Sequence, residues 1–236
     1  ALDALAPDVL VAPPRRLSWL AARQSPLRPL RIFSAAETLD PQERAAIEAW
    51  SGQPLRQIYM ATEGLLGVSC AHGGLHLAED SVFFEFEPVG DDLVSPLITS
   101  FRRETQIMAR YRMNDLLRLS DSPCACGSPL RLVSEVVGRR DDCFEIEGRL
   151  ITPDALRNAV VKADPRIIDY RVIRTGAQVI RLVLPPDLPE EAAARALAAL
   201  REYVSGRGLS VGVVLLREPL VFDPSRKLRR IENRGK

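Results

Sequence analysis

The stretch Arg56-Gln-Ile-Tyr59-Met-Ala-Thr62-Glu63-Gly64 decides the fold. Arg56 to Met60 reads as a strand, and Gly64 turns the chain just beyond it. Toward the N-terminus, Pro41 to Trp50 reads as a helix with Asp40 as N-cap and Pro41 at its first position. Before it come a strand at Leu30 to Phe33, a helix near Arg15 to Ala22 and a strand at Val9 to Ala12. Strands and helices alternating in this way predict a parallel α/β sheet. The Tyr59 to Gly64 segment then lies at its carboxyl edge, where open sheets bind ligands.

Toward the C-terminus the texture changes. From Gly74 to about Leu119, runs such as Ser81-Val-Phe-Phe-Glu-Phe-Glu87 predict an antiparallel, half-exposed sheet. After Gly138 a new series begins: a hairpin through Phe144 to Ile151, a helix opening at Pro153, and strands at Ile167 to Ile173 and Gln178 to Leu184. A helix from Pro189 to Val204, with Leu197, Leu200 and Val204 on one face, precedes a strand at Ser210 to Leu216. The last hundred residues or so make an ordinary small domain. The boundary is placed near Arg140, dividing the chain into 1–139 and 140–236.

Thirty-two basic against thirty-one acidic residues give a net charge of +1, which supplies no excess to attract nucleic acid or an acidic membrane. No run approaches the ~18 apolar residues of a spanning helix, and no signal peptide is legible, so a cytoplasmic location is expected. Oligomeric state is not readable, and a homodimer is compatible with the sequence. Four cysteines, at 70, 124, 126 and 143, are too few for a secreted disulfide scaffold.

Four segments could carry chemistry. In Tyr59-Met-Ala-Thr62-Glu63-Gly64 an aromatic ring can stack on a base, a hydroxyl can bond phosphate, and Glu63 can hold Mg²⁺; a plain strand end with a solvated Glu fits the same residues. Tyr111-Arg-Met-Asn114-Asp115-Leu116 ends a strand on a carboxylate suited to a ribose diol, or is a surface Asn-Asp turn. Gly138-Arg139-Arg140-Asp141-Asp142 is a solvated turn or an interdomain hinge. The last is Asp223-Pro-Ser-Arg-Lys227-Leu-Arg-Arg-Ile231. Lys227 is one of three lysines against twenty-nine arginines, so either a compact ammonium is needed there or the segment is a basic tail.

In this order and spacing the four segments resemble the adenylate-forming superfamily of acyl-CoA synthetases, adenylation domains and luciferases. The resemblance implies a partial large AMP-binding domain (1–139), with a parallel α/β layer plus an antiparallel β subdomain. A mobile α+β lid (140–236) would follow. It implies that Tyr59, Thr62 and Glu63 bind adenine, phosphate and Mg²⁺, that Asp115 and Arg139 hold ribose, and that Asp141 is the hinge. Lys227 would contact the acyl carboxylate and α-phosphate, which makes Lys227, Thr62 and Glu63 the catalytic set.

Gly74-Leu-His76-Leu-Ala-Glu79-Asp80 and Cys124-Ala-Cys126-Gly127 look like the phenylacetate-CoA ligase branch, including its deazaflavin-coenzyme adenylylating relatives. The implied reaction uses ATP to convert a carboxylic acid, an aryl acid by resemblance, to an acyl-adenylate, and then passes it to a thiol such as coenzyme A or a carrier protein. The family's phosphate loop and N-terminal subdomain, which would precede Ala1, are not in the sequence, so a fragment is expected. Glu145 stands where many members carry Lys. The rival reading is a non-catalytic, zinc-stapled module that binds nucleotide or a partner.

Both histidines, His72 and His76, fall within six residues of Cys70, and Cys124 and Cys126 form the other cysteine cluster. Cys₃His is an acceptable tetrahedral zinc set. A structural zinc on Cys70, His76, Cys124 and Cys126 is expected, with His72 as substitute ligand; unrelated thiols and exposed imidazoles are the alternative. Some members of the resembled branch carry a metal at corresponding positions. Cys143 reads as an ordinary thiol.

Overall fold

The computed structural model describes residues 5–90, 92–102, 107–220 and 229–235. The chain divides into two compact units, Ala1–Val137 and Gly138–Lys236.

The first unit begins with β1 (Val9–Ala12), α1 (Pro14–Ala22), β2 (Arg31–Ala35), α2 (Pro41–Ser51) and β3 (Arg56–Ala61). The sequence places each of these within two residues, because each carries a local signal. In α2, Glu43 Oε2 accepts the Asp40 amide at 3.3 Å to complete a capping box. Gly52, at φ +68°, closes the same helix in the left-handed conformation. β1, β2 and β3 are mutually parallel. On one face Leu10, Ile32 and Leu55 pack with Leu17, Ile47 and Trp50 from the helices. On the other face Val9 and Val11 are exposed.

The antiparallel part begins earlier than the texture of the sequence suggests. β4 (Gly64–Ser69) already folds back on β3, ahead of β5 (Leu75–Leu77). Its two glycines hide the strand from a propensity reading. β6 (Val82–Val89), β7 (Leu93–Ser100), β8 (Tyr111–Arg112), β9 (Asp115–Leu119) and β10 (Leu132–Arg139) complete a ten-stranded sheet. Its order is β1-β2-β3-β4-β5-β10-β9-β7-β6, with β8 paired to β7. Here the sequence reading needs one correction: Asp115 opens a strand instead of ending one, because β8 closes at Arg112 and β9 starts at Asp115 itself.

The second unit opens with a 3-10 turn, Arg140–Asp142. β11 (Phe144–Ile146) and β12 (Arg149–Ile151) form the expected hairpin, whose loop residues Glu147 (φ +51°) and Gly148 (φ +74°) make the paired left-handed turn that fits strand twist. After α3 (Pro153–Val161), β13 (Arg171–Arg174), β14 (Val179–Leu184), α4 (Glu190–Ser205), β15 (Gly212–Arg217) and β16 (Ile231–Asn233) build a sheet ordered β15-β14-β13-β16. Phe144, Leu156, Tyr170, Leu182 and Leu200 are its solvent-free centre. Ile167 is buried but precedes β13 instead of belonging to it. Among the described residues no helix is long and apolar enough to cross a membrane.

Asp164, only 2% exposed, ties the α3–β13 connection to α4. It accepts the Arg166 amide at 2.9 Å, the Arg166 guanidinium and Arg195 Nε at 3.1 Å. Arg166 and then Arg195 hold its carboxyl well below the usual carboxylate range. A depressed folded-state value contributes stability above the unfolded carboxyl's pKa of about 3.9, and that stability is lost as pH falls toward the folded value. Asp164→Asn is therefore expected to lower the denaturation midpoint at pH 6 to 7, with the gap to the parent closing as pH falls below about 4. A gap that stays constant with pH would assign Asp164 a purely steric role.

Candidate functional site

β3 is the strand at which the sheet changes direction: parallel to β2 on one side, antiparallel to β4 on the other. Its register shifts between Tyr59 and Met60, a bulge at the point where the strand leaves the parallel layer. Thr62 and Glu63 form the two-residue turn to β4, because Ala61 pairs with Gly64. Thr62 is exposed and Glu63 half-buried.

Tyr59 points inward. Its ring is 7% exposed and packs with Leu66, Ile98 and Leu117, while its hydroxyl donates to Asp115 Oδ2 at 2.8 Å. Desolvation, and then the Asp115 carboxylate, push the phenol well above its ordinary value, so it is a donor at any working pH. A second tyrosine, Tyr111, is exposed on β8, and Glu63 raises its phenol above the ordinary value. The Tyr59–Gly64 and Tyr111–Asp115 segments thus meet through the Tyr59 hydroxyl and the Asp115 carboxylate.

Arg139, the exposed last residue of β10, and Asp141, exposed in the 3-10 turn, belong to the second unit. Asp142 is the buried member of the aspartate pair, bonded to Arg229 Nε at 3.3 Å. Burial pushes its carboxyl up, with Arg229 opposing. Lys227 lies outside the described residues.

The Cys70, His76, Cys124 and Cys126 ligand atoms all lie within 4.8 Å of one another. Cys70 Sγ is 3.7 Å from Cys124 Sγ, and Cys126 Sγ is 3.3 Å from His76 Nε2. Zinc bonds of about 2.3 Å to sulfur and about 2.0 Å to nitrogen give tetrahedral edges of about 3.8 and about 3.5 Å, whereas a disulfide needs about 2.05 Å. The spacing therefore fits metal ligands better than a bond. His76, buried on β5, directs Nδ1 to the Leu130 carbonyl at 2.9 Å, which leaves Nε2 as the lone-pair nitrogen facing the thiols. His72 is exposed and outside the cluster. Desolvation works to raise the Cys70 thiol, but the His72 and Gly74 amides with Cys124 and His76 bring it down to about 7. Cys124 moves up despite a backbone hydrogen bond from Cys126, through desolvation and the neighbouring thiols.

Two features escaped the sequence. Ala36 adopts φ +72° immediately after β2, beside β3 at the same sheet edge; strained backbone concentrates at ligand sites. The small-residue run Ser34-Ala-Ala36-Glu37 after an apolar strand was its only trace. Gly74 also matters for space, since a Cβ there would lie 3.0 Å from Cys124 Sγ.

No family model matches the chain. No curated protein matches it either. Solved structures do: a 2-hydroxyisobutyryl-CoA ligase in the postadenylation state aligns over 98% of this chain and 56% of its own at a TM-score of 0.72 and 20% identity. The anthranilate CoA ligase AuaEII with anthranoyl-AMP aligns over 91% and 47%, TM-score 0.62, 13% identity. A structure from a study of fatty acyl-adenylate ligases from E. coli and L. pneumophila aligns over 94% of this chain and 50% of its own, TM-score 0.61, 16% identity. The chain thus has the fold of adenylate-forming ligases and spans about half the length of these structures.

Gly67 faces Tyr59 across the β3–β4 pairing, and a Cβ there would sit 2.7 Å from the His76 carbonyl oxygen. Gly67→Ala is expected to cost about 1–3 kcal/mol by urea denaturation. Gly127→Ala, with open space but φ +73°, should cost about 1 kcal/mol. The reverse order would mean that the β4–β5 contact gives way readily.

Proposed function

We propose that the chain is the C-terminal portion of an adenylate-forming acid–thiol ligase, of the phenylacetate-CoA ligase type, acting in the cytoplasm. One observation carries this reading: on the fold of such ligases, Tyr59 and Asp115 meet in a 2.8 Å hydrogen bond beside the Thr62–Glu63 turn. Tyr59 and Asp115, to which the resemblance gives base and ribose roles, are thereby in contact, which supports the reading.

In this reading a carboxylic acid, preferably an aryl acid, attacks the α-phosphorus of ATP. An acyl–oxygen–phosphorus bond forms and pyrophosphate leaves. A thiol, such as that of coenzyme A or a carrier arm, then attacks the acyl carbon and AMP departs. Asp115 and Arg139 hold the ribose, and Thr62 donates its hydroxyl to phosphate. Glu63, a half-buried carboxylate, offers the hard oxygen that Mg²⁺ prefers. Lys227 places an ammonium against the charge that develops at the α-phosphate. Rotation of residues 140–236 at the exposed Asp141 would exchange the adenylation and thioester geometries.

The Cys70/His76/Cys124/Cys126 cluster is assigned a structural zinc, which would pin the 124–127 turn to β5. Protein purified without chelator should carry close to one zinc per chain. Cys124→Ser should lose it while His72→Ala retains it, and a zinc-free parent protein in metal analysis would remove the assignment.

ATP–pyrophosphate exchange with a panel of aryl and fatty acids tests the main reading, run on this chain and on the full product of the open reading frame that encodes it. Exchange with an aryl acid, abolished by Lys227→Ala in the longer protein while nucleotide binding survives, is the expected result. Silence in both proteins would favour a zinc-stapled binding module instead.

A further inference from the structure

We infer that Tyr59 acts through its hydroxyl as a positioning residue for Asp115, so that ribose is read by a tyrosine–carboxylate unit and not by the carboxylate alone. This rests on the nucleotide-binding reading above and changes what Tyr59 does within it. A ring that stacks on a base needs a free face. The Tyr59 ring is 7% exposed and packed among Leu66, Ile98 and Leu117, so the part of the side chain left for chemistry is the hydroxyl.

That hydroxyl lies 2.8 Å from Asp115 Oδ2, across 56 residues of chain. The backbone leading into Asp115 is already fixed. The Met113 amide donates to the Pro96 carbonyl at 2.9 Å, and the Ser95 hydroxyl donates to the Met113 carbonyl at 3.2 Å. A hydrogen bond from a buried phenol to one oxygen of the carboxylate restricts its rotation. A carboxylate held in one plane can accept the two hydroxyls of a vicinal diol in a single geometry. One free to turn pays conformational entropy on binding.

The class of ligand discriminated is therefore the ribonucleotide against its deoxy analogues. AMP, 2′-deoxy-AMP and 3′-deoxy-AMP are titrated calorimetrically into the parent chain and into Tyr59→Phe, Asp115→Asn and the double variant. Tyr59→Phe keeps the ring, so the packing of the buried cluster around it is unchanged. It should weaken AMP about tenfold, in line with the loss of one hydrogen bond to a charged group. Binding of the deoxy analogues should change little, and the double variant should be no worse than Asp115→Asn. Unchanged AMP preference in Tyr59→Phe, or equal weakening of all three ligands, would overturn the inference while leaving the nucleotide site standing. Absence of AMP binding by the parent chain and by the full reading-frame product would instead sink the reading on which it rests. A ligand-free readout stands beside these: in ultraviolet titration, the tyrosine step that Tyr59→Phe removes should move down in pH in Asp115→Asn, and no movement of that step would overturn the pairing itself.

Discussion

The change of direction at β3 is the constraint from which the rest of the first unit follows. Parallel pairing to β2 requires a helical crossover, which α2 supplies, and antiparallel pairing to β4 allows a two-residue turn. The same strand therefore ends at the carboxyl edge of a parallel layer and, by way of β4 and β5, enters an antiparallel sheet. A bulge at Tyr59/Met60 reconciles the two geometries. Tyr59 sits at that joint. Its ring belongs to the core of the antiparallel part, and its hydroxyl reaches the start of β9.

The cysteine cluster follows from the same sheet. β5 lies between β4 and β10, so His76 pairs with Val68 on one side and Leu132 on the other. The cysteines arrive from the loops at the ends of these strands, Cys70 after β4 and the Cys124–Cys126 turn before β10. Closing a loop of some fifty residues onto Cys70 costs entropy that grows slowly with length, and a shared ion on four ligands is a strong way to offset it. The Leu130 carbonyl, on the approach to β10, sets the His76 tautomer, so the strand that positions the cysteine turn also prepares the imidazole.

The second unit is organised around different contacts. Asp164 joins two helical regions through Arg166 and Arg195, and Asp142 engages Arg229 near the start of the closing strand. In each case a nearly buried carboxylate has guanidinium partners, the condition under which burying the charge is tolerated. This is consistent with a composition that favours Arg over Lys, since the planar fork serves such pairings better.

What the sequence determined by itself was local. Asp40 and Pro41 announce α2, Gly148 marks the β11–β12 hairpin, and Gly127 follows the Cys-x-Cys pair, because caps and turns are decided by residues within a few positions of one another. The three cysteines and the two candidate histidines of the cluster were also legible, since cysteine and histidine are scarce enough here for their types alone to group them. Tertiary structure decided what depends on strand order and register. It put His76 and not His72 beside the cysteines, made Asp115 the first residue of β9 instead of the last of another strand, buried Asp142 but not Asp141, and turned Tyr59 from an edge residue into a core residue whose hydroxyl meets Asp115. The physical reason is range: alternation and propensity say which residues form a strand, but which strand lies beside it is fixed by burial summed over the whole sheet.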